Sequence, residues 1–586
     1  MDAHLLITGV VLLVLVVALV RETVAPAPAV LAAVVVLTLV GIVEPETAFA
    51  GFSSSATLTV AGLFIVARCI QDHTGLDLAL RRLLGQGRSE TATLTRLTLP
   101  LVTLSAVIAN TPLVAATAPM VRGWAERTDR PPSRYLMPVS FAALLGGVIT
   151  TIGTSTTLVV SGLVESSLGT PFGFLEITPV GLPVALAGAV VLIVAAPRLL
   201  PDRSSAGERV AAHERDYVFR MTVDAGGPLD GATVAEGGLR ALDDLFLVRI
   251  DRDGHEIAPV GPDDVLRGGD ELAFVGRIDH VREFTHEGLT HAEQGQLHLL
   301  DGDLHGLHEV VIGRSSDLVG RTLKEASFRG RFGAAVLAIH RAGGRVEQKL
   351  GTVPLLPGDS LLLHAGPSFA ETWRDHGTFA VVVPLDDTFA RASRRRWFVI
   401  AVVVAMVLVA ATGLTSTFLA VLGATSLLVG SRTIGFREAV RSLDLDVLLI
   451  IAGAIGLGAA VEASGMAELI ASGVAAAAAG AGPVAALAAV VIGTAVITEV
   501  VTNVAAAALM VPIAVQVGTQ LQADPRVFAL GVAIAASSSF LTPIGYQTNT
   551  IVYGLGGYRF SDYPRLGAPV TVVTLGVAIV VLAGML

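Results

Sequence analysis

Two stretches of apolar sequence carry polar residues whose types and spacing suit ion binding. The first reads Ser105-Ala-Val-Ile-Ala109-Asn110-Thr111-Pro112 and is followed by Pro119. The second reads Thr498-Glu499-Val-Val-Thr502-Asn503-Val504 and is followed by Pro512. A shift of 393 residues superposes Asn110 on Asn503 and Pro119 on Pro512. An amide amid apolar residues must find a partner or cost roughly 1–3 kcal/mol. One such Asn could simply bond a neighbouring helix, and the hydroxyls could bond back to their own backbones. Two at matching places point to a built site.

Two further segments are broken at their centres by glycine, at Ile152-Gly153-Thr154-Ser155-Thr156-Thr157 and at Ile544-Gly545-Tyr546-Gln547-Thr548-Asn549. Matched breaks in apolar segments are the sequence pointer to a transport site. Half-helix N-termini offer NH groups and a positive dipole end to an anion. Freed carbonyls, with hydroxyl and amide oxygens, suit a hard cation such as Na⁺. One expected Na⁺ site combines Ser105, Asn110 and backbone near Gly153; the other combines Thr498, Asn503 and backbone near Gly545. The expected anion site lies between the two tips, on Asn110, Thr111, Pro112, Thr502 and Asn503, with Thr156 and Thr548. An acid in an apolar hairpin is expensive, so Glu499 is read as a coupling acid, a neutral hydrogen-bonding acid or half of an ion pair. Arg68 and Glu462, near helix ends, read as residues snorkelling to the interface.

The elements that must hold these residues are membrane helices. The chain of 586 residues is 53% hydrophobic and 15% charged, with mean hydropathy +0.70. Its apolar runs approach the ~20 residues a bilayer requires. The run Leu5 to Val20 has no Lys or Arg before it and no clear cleavage site after it, so it reads as a membrane segment rather than a signal peptide. A single cysteine, Cys69, excludes an internal disulfide. No basic, aromatic-interleaved surface argues for nucleic acid, and no nucleophile–base or metal cluster argues for an enzyme.

The apolar segments run at about 5–20, 28–43, 54–71, 94–121, 135–165 and 175–197, then again at 397–411, 415–430, 445–462, 484–516, 527–555 and 567–585. Further landmarks recur in the same order: Thr74-Gly75 with Ser464-Gly465, and Phe174-x-Glu176-x4-Gly181-x-Pro183 with Phe560-x-Asp562-x4-Gly567-x-Pro569. The expected fold is an α-helical polytopic membrane protein built from two inverted repeats. These are 1–198, with a re-entrant hairpin at 94–121, and 397–586, with one at 484–516. If the hairpins enter and leave by one face, each repeat crosses five times and the second is inverted. With the central stretch cytoplasmic, the inner segments outside it then carry Arg21, Arg81, Arg82, Arg88, Arg122, Arg127, Arg130, Arg134, Arg432, Arg437, Arg441, Arg559 and Arg565, against Arg526 alone outside. That sorting sets the orientation, with both termini extracytoplasmic.

The polar stretch 199–396 is itself duplicated. Pro228-Leu229-Asp-Gly231-Ala-Thr233 recurs 89 residues later as Asp317-Leu318-Val-Gly320-Arg-Thr322. The same shift carries Ile250, Arg252, Gly254 and Gly269-Asp270 onto Ile339, Arg341, Gly343 and Gly358-Asp359. Two small α+β modules are expected, at about 216–286 and 306–376. Eleven of the thirteen histidines lie in this stretch, several of them (His286, His291, His298, His305, His308) between the modules. Their spacing fits no standard metal site.

Taken together, these residues resemble the divalent anion/sodium symporter family of the citrate-transporter-like, or ion transporter, superfamily. The likeness covers both membrane halves. It rests on Ser-Ala-x-x-x-Asn-Thr-Pro in the first hairpin, Thr-Glu-x-x-Thr-Asn in the second, Leu541-Thr-Pro-Ile-Gly-Tyr-Gln-Thr-Asn549, and Gly557-Tyr-Arg-Phe-x-Asp-Tyr563. The modules resemble TrkA C-terminal (RCK C-terminal) domains. The resemblance implies a homodimer in the cell membrane, with a scaffold and a moving transport domain. It also implies elevator-type exchange driven by Na⁺, without an organic cofactor, and Asn-Thr motifs that hold both Na⁺ and the anion. Ala109, Thr502 and Val504 depart from the family's Ser, Ser and Thr. Val504 removes a donor where a dicarboxylate would be gripped, which sets a smaller oxyanion such as sulfate beside a dicarboxylate as the expected cargo. The modules are expected to dimerise and to bind a small regulatory ligand, or only to dimerise; neither has the Gly-x-Gly-x-x-Gly of a nucleotide site. The competing readings are an RCK-gated cation channel, against which stands the missing Thr-Val-Gly-Tyr-Gly filter, and an oxyanion extruder of the arsenite-efflux type.

Overall fold

A computed structural model describes residues 3–21, 24–74, 84–85, 89–128, 130–202, 216–239, 245–252, 255–257, 260–261, 263–277, 289–291, 307–313, 316–341, 344–346, 348, 350–366, 369–373, 378–384, 395–478, 480 and 482–586. Gly75, Arg81, Arg82, Arg88, Gly254, His286, His298, His305 and Gly343, which carried part of the sequence argument, lie outside the described residues. The chain forms two compact units. One comprises Met1–Asp202, Ala390–Tyr553 and Tyr558–Leu586; the other comprises Arg203–Phe389 and Gly554–Gly557.

The first unit is helical. Its N-terminal part runs α1 (Ala3–Val20), α2 (Pro26–Leu39), α3 (Pro45–Phe49), α4 (Ser55–His73), α5 (Glu90–Ser105), α6 (Asn110–Arg127), α7 (Ser133–Gly147), α8 (Ser155–Leu168) and α9 (Thr178–Leu199). Two short helices of the second unit, α10 (Phe328–Phe332) and α11 (Phe369–Trp373), come next in the chain. The first unit resumes with α12 (Arg396–Ala411), α13 (Thr417–Gly430), α14 (Phe436–Arg441), α15 (Leu445–Ala463), α16 (Met466–Ala478), α17 (Pro483–Thr498), α18 (Asn503–Gln520), α19 (Pro525–Ala536), α20 (Gln547–Gly556) and α21 (Asp562–Ala583). Among the described residues, five helical stretches are long and apolar enough to cross a membrane: Pro45–His73 (α3 and α4 with the turn between them), Thr178–Leu199, Leu445–Ala463, Asn503–Gln520 and Asp562–Ala583. The chain is a mostly helical, polytopic membrane protein.

Local sequence sets the ends of these helices. Ser54, Ser89, Ser416 and Asp444 stand before α4, α5, α13 and α15, and each accepts a hydrogen bond from a first-turn NH. Proline opens α2, α17 and α19, where its missing NH costs nothing. The expected hairpins are two helix pairs, α5–α6 and α17–α18, each interrupted by a few residues. The expected broken segments are α7–α8, open between Val148 and Thr154, and α19–α20, open between Ser537 and Tyr546. Gly181 of α9 and Gly567 of α21 sit against these openings, and a Cβ on either would strike a carbonyl, that of Val148 or of Phe540. Arg68 does more than snorkel: its Nε bonds Asp72 at 2.6 Å, and Nη2 lies 3.8 Å from Glu438. The reason is the i, i+4 spacing of Arg68 and Asp72 on one helix face.

The second unit holds two five-stranded antiparallel sheets. The first is built from β1 (Asp216–Val223), β2 (Leu245–Arg252), β3 (His255–Ile257), β4 (Glu271–Arg277) and β5 (Leu289–His291), in the order β3-β2-β4-β1-β5. The second uses β6 (Leu307–Ile312), β7 (Ala334–Arg341), β8 (Gly344–Arg345), β9 (Ser360–Ala365) and β10 (Phe379–Pro384), in the order β10-β6-β9-β7-β8. Strand for strand the two orders agree. Each sheet has a register shift at the same place, between Leu247 and Arg249 and between Val336 and Ala338. Each ends on an edge strand beyond the expected module boundary, β5 past 286 and β10 past 376. β5 has only three residues, and β10 (Phe-Ala-Val-Val-Val-Pro) is almost continuously apolar, so neither shows alternation.

Candidate functional site

In the first hairpin, α5 ends at Ser105 and α6 begins at Asn110, so the two side chains face each other across the interruption. With its amide turned to suit its surroundings, Asn110 Nδ2 lies within bonding distance of the carbonyls of Ala143 (3.0 Å) and Gly153 (3.2 Å) and of Ser105 Oγ (2.7 Å), and its two protons serve two of the three. Gly147 and Gly153 make this approach possible. A Cβ on Gly147 would lie 2.5 and 2.8 Å from the two polar atoms of the Asn110 amide, and one on Gly153 would lie 2.8 Å from the Ser105 carbonyl. The expected grouping of Ser105, Asn110 and Gly153 is thus brought together.

The second hairpin repeats the arrangement in part: Thr498 meets Asn503, while Gly545 packs against Ser539 and Thr542 instead. Thr498 Oγ1 lies 2.8 Å from Asn503 Oδ1 and 2.9 Å from the Ala536 carbonyl. A hydroxyl has one proton and serves only one of them. Thr502 caps α18, its hydroxyl oxygen accepting from the Ala505 NH at 3.3 Å. Asn503 is 2% exposed, and its Nδ2 has no partner among the described residues. The Thr156 and Thr157 hydroxyls, both fully buried, lack one too. Buried polar groups are otherwise almost always paired. These three atoms belong to α18 and to α8, which packs along it. Thr8, Thr98 and Thr571 also have unpartnered hydroxyls, so the amide of Asn503 is the more telling orphan.

Each opening is tied to its hairpin by a threonine that sequence reasoning passed over. Thr150 donates to the Ala106 carbonyl, and Thr542 donates to the Glu499 carbonyl at 3.3 Å. Both acceptors stand just past a helix C-terminus, where carbonyls lack helical partners. Glu499 is buried, and its Oε1 accepts from the Leu541 NH at 2.9 Å. Among the described residues it forms no ion pair. Gly545 approaches Ser539 and Thr542 closely, and its NH donates to Thr542 Oγ1 at 3.0 Å.

Other contacts join elements far apart in the chain. Ser140 of α7 bonds Thr548 Oγ1 (2.8 Å) and Asn549 Oδ1 (2.7 Å), and Asn549 Nδ2 donates to the carbonyls of Ser539 (2.9 Å) and Thr542 (3.1 Å). Thr548 is therefore engaged by protein, unlike Thr156. Thr111 Oγ1 donates to Gln547 Oε1 at 3.1 Å, and Gln547 also bonds Asp444. Gln71 Nε2 of α4 donates to the Pro112 carbonyl at 2.7 Å. Of these residues, Ser140 showed in the sequence only as a lone polar side chain in an apolar run, and Gln71 only as one of the polar residues that close another. Three helix N-termini, those of α6, α8 and α20, meet through Thr111–Gln547 and through Thr154–Tyr546, whose hydroxyls lie 3.5 Å apart.

Hydroxyls, amides and carbonyls gathered at interrupted helices suit ion binding. Comparison with known proteins gives the family. The sequence profile of the citrate transporter family matches residues 10–533. A protein of Chlamydomonas reinhardtii provisionally described as a sulfur deprivation response regulator is 33% identical over 559 residues, covering 92% of this chain and 94% of its own. An uncharacterized transporter of Synechocystis is 34% identical over 557 residues, covering 92% of this chain and 90% of its own. Sodium/sulfate cotransporter 1 of C. reinhardtii is 34% identical over 359 residues, covering 57% of this chain and 40% of its own.

Proposed function

The chain belongs to the citrate transporter family, and we propose that it is a Na⁺-coupled symporter of a small divalent anion, with sulfate as the preferred cargo. It is an integral membrane transporter and not an enzyme. The observation that carries the Na⁺ and anion reading is the pair of hairpin asparagines, above all the open amide of Asn503. If Thr498 donates to the Ala536 carbonyl, the Asn503 amide can turn over, donate to Thr498 and leave its oxygen facing a cation. Unturned, it leaves an NH for an anion. In this reading Thr498 and Asn503 with Gly545 hold one Na⁺, and Ser105 and Asn110 with Gly153 hold the other when the Asn110 amide turns its oxygen toward Ser105 Oγ and the Gly153 carbonyl. The anion lies between the tips against Thr502, Asn503 and Thr156 and the helix N-termini. Two monovalent cations neutralise a dianion, which removes most of the cost of carrying it through a low-dielectric interior.

Transport follows by elevator-type movement of the hairpin-bearing domain within a homodimer. The two membrane halves are inverted repeats, and the central unit is a cytoplasmic regulatory or dimerising insert. The arginine distribution supports this orientation. The test is uptake of radiolabelled sulfate and succinate into proteoliposomes, under a Na⁺ gradient or with choline. Na⁺-dependent sulfate uptake, abolished by combining Asn110→Ala with Asn503→Ala, is the expected result. Uptake that ignores Na⁺ and follows a pH gradient would replace the coupling ion. K⁺ flux without anion uptake would sink the reading.

A further inference from the structure

The two openings, matched in sequence, differ in bulk. Where the first has Thr154-Ser155, the second has Tyr546-Gln547. Both large side chains reach the tip of the first hairpin. The Tyr546 hydroxyl lies 3.5 Å from Thr154 Oγ1, amid the polar side chains of Asn110, Thr111 and Ser155. Gln547, held by Asp444, takes the proton of Thr111. The Asn110 amide is already committed to Ala143, Gly153 and Ser105. At this tip the protein uses up its own donors. The second tip is the reverse. Val504 stands where the first tip has Thr111, and the open polar atoms are those of Asn503, Thr156 and Thr157. The site is lopsided, with one side filled and the other unsatisfied.

We propose that Tyr546, positioned by the Gln547–Thr111 contact, is the specificity-determining residue. Its ring takes the place at the first tip that the second carboxylate of a dicarboxylate would need. The site then admits one compact tetrahedral dianion on the open side and rejects four-carbon dicarboxylates. A carboxylate forced against the committed tip would be buried without donors, a penalty that discriminates strongly between cargoes. This inference rests on the anion-transport reading above.

The experiment compares the native protein with a variant that combines Tyr546→Thr and Gln547→Ser, giving the second opening the residues of the first. Sulfate uptake into proteoliposomes is measured with and without excess succinate, together with direct succinate uptake. The native protein is expected to carry sulfate unimpeded by succinate. The variant is expected to let succinate compete and to gain succinate uptake by about tenfold or more. If the native protein carries neither anion, the transport reading itself has failed. If it carries succinate as well as sulfate, or if the folded variant carries sulfate yet still ignores succinate, the assignment to Tyr546 is overturned while transport stands. Tyr546→Phe guards against a variant that does not fold, since it keeps the ring and loses only the hydroxyl. It is expected to go on excluding succinate, and succinate entry into it would overturn the steric assignment.

Discussion

Glu499 shows how a single residue changes meaning once its surroundings are known. In sequence it is an acid inside an apolar hairpin, open to three roles. In the structure its carboxylate receives the Leu541 NH, and its carbonyl receives Thr542 Oγ1, so both ends of the residue fasten the second opening. Glu499→Gln keeps an acceptor for Leu541 and is expected to retain Na⁺-driven uptake within a few-fold. Glu499→Ala leaves that NH unpaired, costs about 1–3 kcal/mol, and is expected to abolish uptake. A Gln variant that folds but loses the pH dependence of transport would instead mark Glu499 as a proton carrier. The hairpin asparagines were legible from sequence because an amide among apolar residues is costly anywhere in the chain. Tyr546, Gln547 and Ser140 were not, because their importance lies in contacts with residues hundreds of positions away.

At the level of elements, the openings are held by clamps rather than left slack. Asn549 takes two carbonyls of the second opening and is itself held by Ser140. Asn549→Ala strands the two carbonyls and leaves Ser140 with Thr548 alone, and about 2 kcal/mol or more of stability is expected to go. Thermal unfolding in detergent would register this, and an unchanged midpoint would show that the clamp is dispensable. The soluble unit has its own repeated clamp. Arg252 grips Asp270 at 2.7 and 2.6 Å, and Arg341 grips Asp359 at 2.8 Å through both nitrogens. Arg341→Ala leaves Asp359, only 1% exposed, without its cation. The loss is about 2 kcal/mol, reduced from the fully buried case because the guanidinium is a third exposed. Faster limited proteolysis of the full chain between 306 and 384 is the expected sign. The Arg and Asp positions of this clamp were visible as an 89-residue echo. The edge strands β5 and β10 were not, the first being three residues long and the second almost continuously apolar, without a period.

For the whole molecule, the proposed sidedness is open to direct labelling. Cys69 is the sole cysteine and is buried, so Cys69→Ala gives a background for single introduced thiols. A membrane-impermeant maleimide should label Asp524→Cys from outside the cell, and Asp230→Cys only after permeabilisation. The reverse pattern would invert the molecule. Arg526 beside Asp524 forks Glu176 at 2.8 and 2.9 Å and also bonds Thr170 and the Pro171 carbonyl. It thereby ties the approach to α9 to the start of α19, and Arg526→Ala is expected to lower the unfolding midpoint by a few degrees, since it frees a multidentate link only partly exposed. Gly181 and Gly567 carry a different consequence. In a library covering every substitution, selected for growth on the cargo, both columns should be empty even of alanine, because a single carbon would push apart a helix and the opening beneath it. Gly576, on the same helix as Gly567 but with nothing within 4 Å of its would-be Cβ, should accept alanine freely. The map of permitted variation would then trace the two carbonyls of Val148 and Phe540.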